Sequence, residues 1–501
     1  MCKRSKMESV LKTLTKYTFL EKMLVAQSFA QQLMHYDHLV LFPDQTSNTV
    51  MPWEIEAFAQ LAILSTGNNP TKSFRANNNK EFYKIITTIR NFLPPKLEAE
   101  INTPEFANDF FRACGMVQFK PQKYALNRLY RYDYFWSFKN DKIDMPQVFG
   151  DNYKGLSYDY FMELAILIYF SASLKGNSSN IFRYISMKHF DAIKLLSITR
   201  EDYIARQTEK NAGDINNVVY GFNYLYPYPF IEFNDNIFMP VPYLIIDAIC
   251  ESLITRVTNG NDRLREDIGK FVAQSYIEHI LNDENIYEEV VPEIQYKIGR
   301  QTIDAPDVMV KDGEMFCFID SKLSTPKLSL RNFNETDLEQ NIKQYAKNVR
   351  QIYNRIKDFL DGRFYPFSSA TTINETKVFG IVVVFENAFI FKSKILTKVF
   401  QDLGIDNDSK EATYIKSNIY ITDLSDIESI ASGSGNIFSA LELKRDNPKR
   451  WDDMGLCSDV AFDEHTKPQS LLDFEAKTRA ILKENLAHMI HLQILPKGTK
   501  I

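Results

Sequence analysis

Three side chains late in the chain have the types and spacing to do metal-assisted chemistry: Asp307, Asp320 and Lys322. Two carboxylates that lean over one point can hold a small hard cation such as Mg²⁺. That ion takes one or two carboxylates and completes its shell with water and phosphate oxygens. The backbone carbonyl of Ser321 would be a further oxygen ligand. A lysine beside such an ion can orient or deprotonate an attacking water, or offset charge developing on a phosphate. Mn²⁺ would be accepted by the same hard donor set.

The elements that must position these groups are two apolar runs, Val308 to Val310 and Met315 to Ile319, separated by Asp312-Gly313. Asp-Gly between apolar runs signals a two-residue hairpin turn. If those two residues form the loop, Lys311 lies opposite Glu314, Val308 opposite Cys317 and Asp307 opposite Phe318. Opposite residues share a face, as do residues two apart along a strand. Asp307, Phe318, Asp320 and Lys322 are therefore expected on one side of a sheet, with the two aspartates diagonal neighbours about 7–8 Å apart. Burying two like charges there without a cation would be costly.

Pro306-Asp307, a short hairpin and then Asp320-Ser321-Lys322 resemble the signature of the PD-(D/E)XK, or restriction-endonuclease-like, nuclease superfamily. The resemblance covers roughly residues 262–430 and implies a core in the order helix, three antiparallel strands, helix, strand. Arg263 to Leu281 reads as the first helix and Glu288 to Tyr296 as the first strand. The hairpin supplies two more strands, Asp337 to Leu360 a long helix, and Val378 to Phe385 a buried strand. The resemblance implies a metal-dependent endonuclease, with DNA favoured over RNA, of the kind that serves microbial defence or mobile-element processing. Asp307 and Asp320 would bind metal and Lys322 would act on water.

The family's first helix usually carries a glutamate that contacts the metal. Here Gln274 stands where that glutamate is expected, and Glu278, one turn on, is the alternative. Gln344 best matches the glutamine that many relatives carry on the later helix. Glu293 is a further carboxylate that could reach the ion from a neighbouring strand. The resemblance also leaves room for a nuclease-like module that binds nucleic acid or a partner protein without cutting, or a subunit inactive until a partner gates it. Domains of this type commonly pair into homodimers to cut both strands.

Charge is distributed unevenly. The whole chain carries a net −5, which gives no global attraction to nucleic acid. From residue 322 to 357, however, eight basic residues face three acidic ones, a local +5. Lys327, Arg331, Lys343, Lys347 and Arg350 in that stretch are expected to meet a phosphate backbone.

The wider chain is ordinary for a folded protein. It has 501 residues with 45% apolar and 13% aromatic content, enough for several domains with sizeable cores. Five cysteines at 2, 114, 250, 317 and 457, with no C-x-x-C, argue for reduced thiols in a cytoplasmic setting and against a zinc ribbon. The N-terminus lacks a signal-peptide apolar core, and the run from Leu164 to Leu174 is too short to span a bilayer. No P-loop motif is present. His35 and His38 are three apart without a third ligand in view.

The expected class is α+β in four segments. Residues 1–220 should be mainly helical and serve substrate or partner selection. Residues 221–260 should form an aromatic hairpin and helix connector. Residues 261–432 should be the nuclease-like mixed α/β core, and 433–501 a helical tail. Helices are expected over Val10 to Leu33, Trp53 to Leu64, Lys80 to Phe92 and Tyr158 to Ser173. The aromatic hairpin at Pro229 to Pro240 suits either base stacking or core packing.

Overall fold

A computed structural model describes residues 6–34, 50–67, 70–74, 80–116, 125–173, 178–211, 213–283, 286–323, 330, 333–432, 436–446, 456 and 467–495. His35, His38, Lys327 and Arg331 lie outside the described residues. The protein is of the α+β class with a helical N-terminal region. It divides into two compact units, one of residues 1–136, 146–259 and 477–501, the other of residues 137–145 and 260–476. Residues 221–259 thus belong to the body of the first unit, and the C-terminal segment is shared between the two.

The first unit is mainly helical. The span from Val10 to Leu33 is two helices, Lys6–Leu14 and Phe19–Leu33, because Thr18 caps the second. The Thr18 hydroxyl accepts from the Glu21 N–H at 3.1 Å while the Glu21 carboxylate accepts from the Thr18 N–H, a capping box that ends one helix and starts another. The expected aromatic hairpin forms from Phe230–Phe233 and Asn236–Phe238, turned by Asn234 and Asp235, both with positive φ. Phe233 packs against Phe19 with ring centroids 4.6 Å apart, and the Arg200 guanidinium covers both rings. These aromatics do core work. No helix among the described residues is long and apolar enough to cross a membrane.

In the second unit, helix α1 runs through three consecutive segments, Asp262–Asp267, a π-helical turn Ile268–Ala273, and Gln274–Asn282. Strands β1 (Glu289–Pro292), β2 (Gln295–Ile298), β3 (Gln301–Asp304), β4 (Val308–Asp312) and β5 (Met315–Lys322) follow. Helix α2 (Glu335–Leu360), strand β6 (Val378–Val384), helices α3 (Lys392–Leu403) and α4 (Lys410–Asn418), strand β7 (Ile419–Asp423) and helix α5 (Leu424–Ser432) complete the core.

One five-stranded sheet has the order β7-β6-β5-β4-β1. β1, β4 and β5 are antiparallel, whereas β6 runs parallel to β5 and β7 parallel to β6. β6 is buried along its whole length, as suits an uninterrupted apolar run covered on both faces. α2 starts at Asn334, whose side chain accepts from the Asp337 N–H at 3.0 Å, and packs on β5 and β6. The close approach depends on Gly380, where a Cβ would lie 2.8 Å from the Ile356 side chain.

Two expectations are corrected. The stretch from Glu288 to Tyr296 is not one strand. The β1 ladder ends at Pro292, which has no N–H to donate, and the chain then forms a separate hairpin, β2–β3, turned at Gly299 with φ +60°. The β4–β5 turn also lies one residue later than expected. Asp312 pairs with Met315, so Gly313 and Glu314 form the loop, with Gly313 at φ +58°. A positive φ at the first loop position is met by glycine without steric cost.

Candidate active site

The turn correction moves the pairing of β5 against β4 by two residues, an even number, so every side chain keeps its face. The register pairs Val308 with Ile319. Continued by one residue, it sets Asp307 directly opposite Asp320 instead of diagonal to it. Directly opposed residues have Cα atoms about 4.5–5.5 Å apart, so the two carboxylates are closer than the sequence suggested. Lys322 follows on the same face of β5.

The two aspartates are held reciprocally across the strands. Asp307 Oδ2 accepts from the Ser321 N–H at 2.6 Å and from the Ser321 hydroxyl at 2.7 Å. The Asp320 carboxylate in turn accepts from the Asp307 N–H. Asp320 is only 2% exposed, and its Oδ2 has no hydrogen-bond partner among the described residues. Lys322 Nζ stands 3.8 Å from that oxygen. Burial pushes the Asp320 carboxyl up to about 6; the Lys322 charge pulls it down and Asp307 raises it further.

The Ser321 carbonyl is well directed. The Lys322 carbonyl accepts from the Phe385 N–H on the β6 side. Carbonyls alternate along a strand, so that of Ser321 points the opposite way, toward β4 and Asp307.

Asp307, Asp320, Ser321 and Lys322 open into a cleft of about 440 Å³, bounded by α1, α2 and the roots of the β2–β3 hairpin. Gln274 from α1 lines it, and its Nε2 donates to the Asp307 carbonyl at 3.0 Å. The same amide bonds to Glu293, which also faces the cleft. Burial and then the charges of Asp307 and Asp304 raise the Glu293 carboxyl above its usual range. Gln274 therefore ties the first helix to both acidic strand segments. Glu278, one turn on, is half-buried and does not line the cleft.

On α2 a glutamine other than the expected one lines the cleft. Gln344 is exposed, donates to Asn348 at 3.1 Å and stands away from the cleft, whereas Gln351 and Arg355 line it. Seven residues are nearly two full turns, so Gln344 and Gln351 share a stripe of the helix about 10 Å apart along its axis. The expected basic contacts also lie elsewhere. Lys343 is exposed 3.9 Å from Glu339, Lys347 is exposed, and Arg350 pairs with Asp402 of α3 at 3.3 Å. None of the three lines the cleft.

The chain matches no family model, no curated protein and no solved structure. Function must be read from the site itself.

The cleft's charge balance is informative. Four cations line it, Arg265, Lys270, Lys322 and Arg355, against five carboxylates, Glu266, Glu293, Asp304, Asp307 and Asp320. Four minus five leaves −1, a poor host for a phosphodiester unless a divalent cation reverses the sign. Among the described residues no group of three or more His, Cys, Asp or Glu side chains is arranged to enclose a metal. The donor set that fits is a pair of opposed carboxylates with one carbonyl, leaving the other positions to water and substrate, as Mg²⁺ prefers.

Proposed function

We propose that this protein is a divalent-metal-dependent phosphodiesterase, an endonuclease of the PD-(D/E)XK type acting on nucleic acid, with DNA favoured over RNA. The observation that carries the reading is Asp320: a buried carboxylate oxygen without a hydrogen-bond donor, across from a second carboxylate and beside a lysine, at the floor of an open cleft. A buried carboxylate oxygen left without a donor is costly, and a cation shared with Asp307 relieves that cost.

Asp307, Asp320 and the Ser321 carbonyl would hold Mg²⁺, with Mn²⁺ as a substitute. Bound there, the ion supplies Lewis acidity and charge compensation to a phosphodiester. Lys322 is placed to orient the attacking water and to keep positive charge near the reacting phosphate. Ser321 fixes the Asp307 carboxylate through two hydrogen bonds, and Gln274 fixes the Asp307 backbone and Glu293. Arg355 and Gln351 offer donors to a phosphate oxygen from the α2 side. Microbial defence or mobile-element processing is the setting in which such an enzyme would act.

Cleavage of a labelled linear duplex by Asp307→Ala and Lys322→Ala tests the assignment. Both variants should fold, shown by unchanged circular dichroism, and lose cleavage. Wild-type rates in both would overturn the reading. A folded wild-type protein that binds duplex without turnover would favour the non-cutting module.

A further inference from the structure

The β2–β3 hairpin takes no part in the main sheet; its two strands pair only with each other. It springs from the cleft: Glu293 and Asp304, at its two roots, and the adjoining Ala305 all line the site, and the Ala305 N–H closes its base on the Ile294 carbonyl at 2.8 Å. Its two faces differ. On one, Tyr296 is opposite Ile303. The Tyr296 ring stacks on Phe364 at 4.3 Å and its hydroxyl donates to Asp358 of α2 at 2.6 Å. That face is the anchor. On the other, Gln295 opposes Asp304 and Lys297 opposes Thr302, and all four are exposed. The tip carries Arg300, also exposed. Lys297 and Arg300 form no ion pair among the described residues.

We infer that this hairpin is a duplex-engaging arm that enters the major groove of double-stranded DNA while the cleft holds the backbone. The inference rests on the phosphodiesterase reading. A strand of four residues reaches about 13 Å, against a B-form major groove roughly 8.5 Å deep and about 12 Å wide, which admits a two-stranded ribbon. The outer face presents Thr302 and Gln295, the latter donating to Asp304 at 2.9 Å, toward base edges, and Lys297 and Arg300 suit the flanking phosphates. The deep, narrow major groove of duplex RNA excludes such a ribbon, so the arm selects DNA.

The test is fluorescence anisotropy of the full chain on labelled duplex DNA, duplex RNA and single-stranded DNA over a salt series, with Ca²⁺ in place of Mg²⁺ so that the cleft carries a divalent charge. Wild type is compared with the Lys297→Ala/Arg300→Ala double variant. Each lost phosphate contact lowers the slope of log affinity against log salt by about 0.9. The double variant should therefore lose a slope of roughly 1.8, which near 0.15 M salt is about a thirtyfold loss of affinity for duplex DNA. Its melting temperature should not change, because both side chains are exposed. Equal affinity and slope in the variant, with duplex binding intact in the wild type, would overturn the arm and leave the cleft reading standing. Tighter wild-type binding to duplex RNA or to single strands would also overturn it. No binding to any of the three would remove the arm and the nucleic-acid reading together.

Discussion

Replacing Asp320 by Asn should make the metal-free protein more stable while removing its response to metal. The Asp320 carboxyl is buried and pushed from 3.8 up to about 6, mainly by that burial. At about 1.4 kcal/mol per pH unit, ionised Asp320 costs the metal-free fold on the order of 3 kcal/mol at neutral pH. The sign follows from the raised value. The neutral carboxyl's contribution is fully present below about pH 4 and is lost as pH rises through about 6. Asn removes that net cost, in which the attraction to Lys322 at 3.8 Å is already counted, but leaves an amide to be satisfied in the same buried place, so a gain of about 2 kcal/mol is expected. For a unit of this size each kcal/mol shifts Tm by about 2–4 °C. The assay is thermal unfolding of wild type and Asp320→Asn at pH 7.5, in EDTA and in excess Mn²⁺, following the transition that Mn²⁺ moves. The variant should melt roughly 4–8 °C above wild type in EDTA and gain nothing from Mn²⁺, whereas wild type should gain. In EDTA at pH 5 the gap should narrow. A variant that melts lower than wild type in EDTA, or is stabilised equally by Mn²⁺, would refute the reasoning.

Further outcomes follow from the cleft and its supports. Gln274→Ala removes the donor to the Asp307 carbonyl and to Glu293, and should weaken Mn²⁺ binding or cleavage about 10–100-fold, measured by titration calorimetry and duplex turnover. Gln351→Ala should lower cleavage while Gln344→Ala leaves it within about twofold, because only Gln351 lines the cleft; rate assays on the two variants side by side decide this. Gly380→Ala places a Cβ 2.8 Å from Ile356 Cδ1 and should destabilise the protein by about 1–3 kcal/mol in urea unfolding, because α2 must move off β6.

Much of the second unit was legible from local pattern. The apolar run of β6, the helical stretch of α2 and the apolar runs of β4 and β5 are properties of adjacent residues, and they fix element type. The shared face of Asp307, Asp320 and Lys322 was legible for the same reason. It survived the misplaced turn because pairing moved by an even number of residues. The closeness of the aspartates was not legible, because it depends on which two residues form the loop, and Gly313 takes the first loop position rather than the second.

Helix α2 shows a different limit. Its stripe of Gln344, Asn348, Gln351 and Arg355 follows from 3.6-residue periodicity. Which turn of that stripe meets the cleft depends on how Ile352 and Ile356 seat against Gly380. Counting charges along the helix could not reveal that Arg350 turns toward Asp402. The β2–β3 hairpin did have a signal: Pro292 as a breaker, then alternating Gln295, Tyr296, Lys297 and Ile298 before Gly299. Reading residues 288–296 as one strand concealed it.

The most direct test of the central claim is cleavage of supercoiled plasmid by the purified full chain in Mg²⁺, in Mn²⁺ and in EDTA, beside Lys322→Ala under the same conditions. Nicked and linear products are expected with either cation, none in EDTA, and none from the variant in Mg²⁺. Undiminished cleavage in EDTA, or by Lys322→Ala, would contradict a metal-dependent site at Asp307, Asp320 and Lys322.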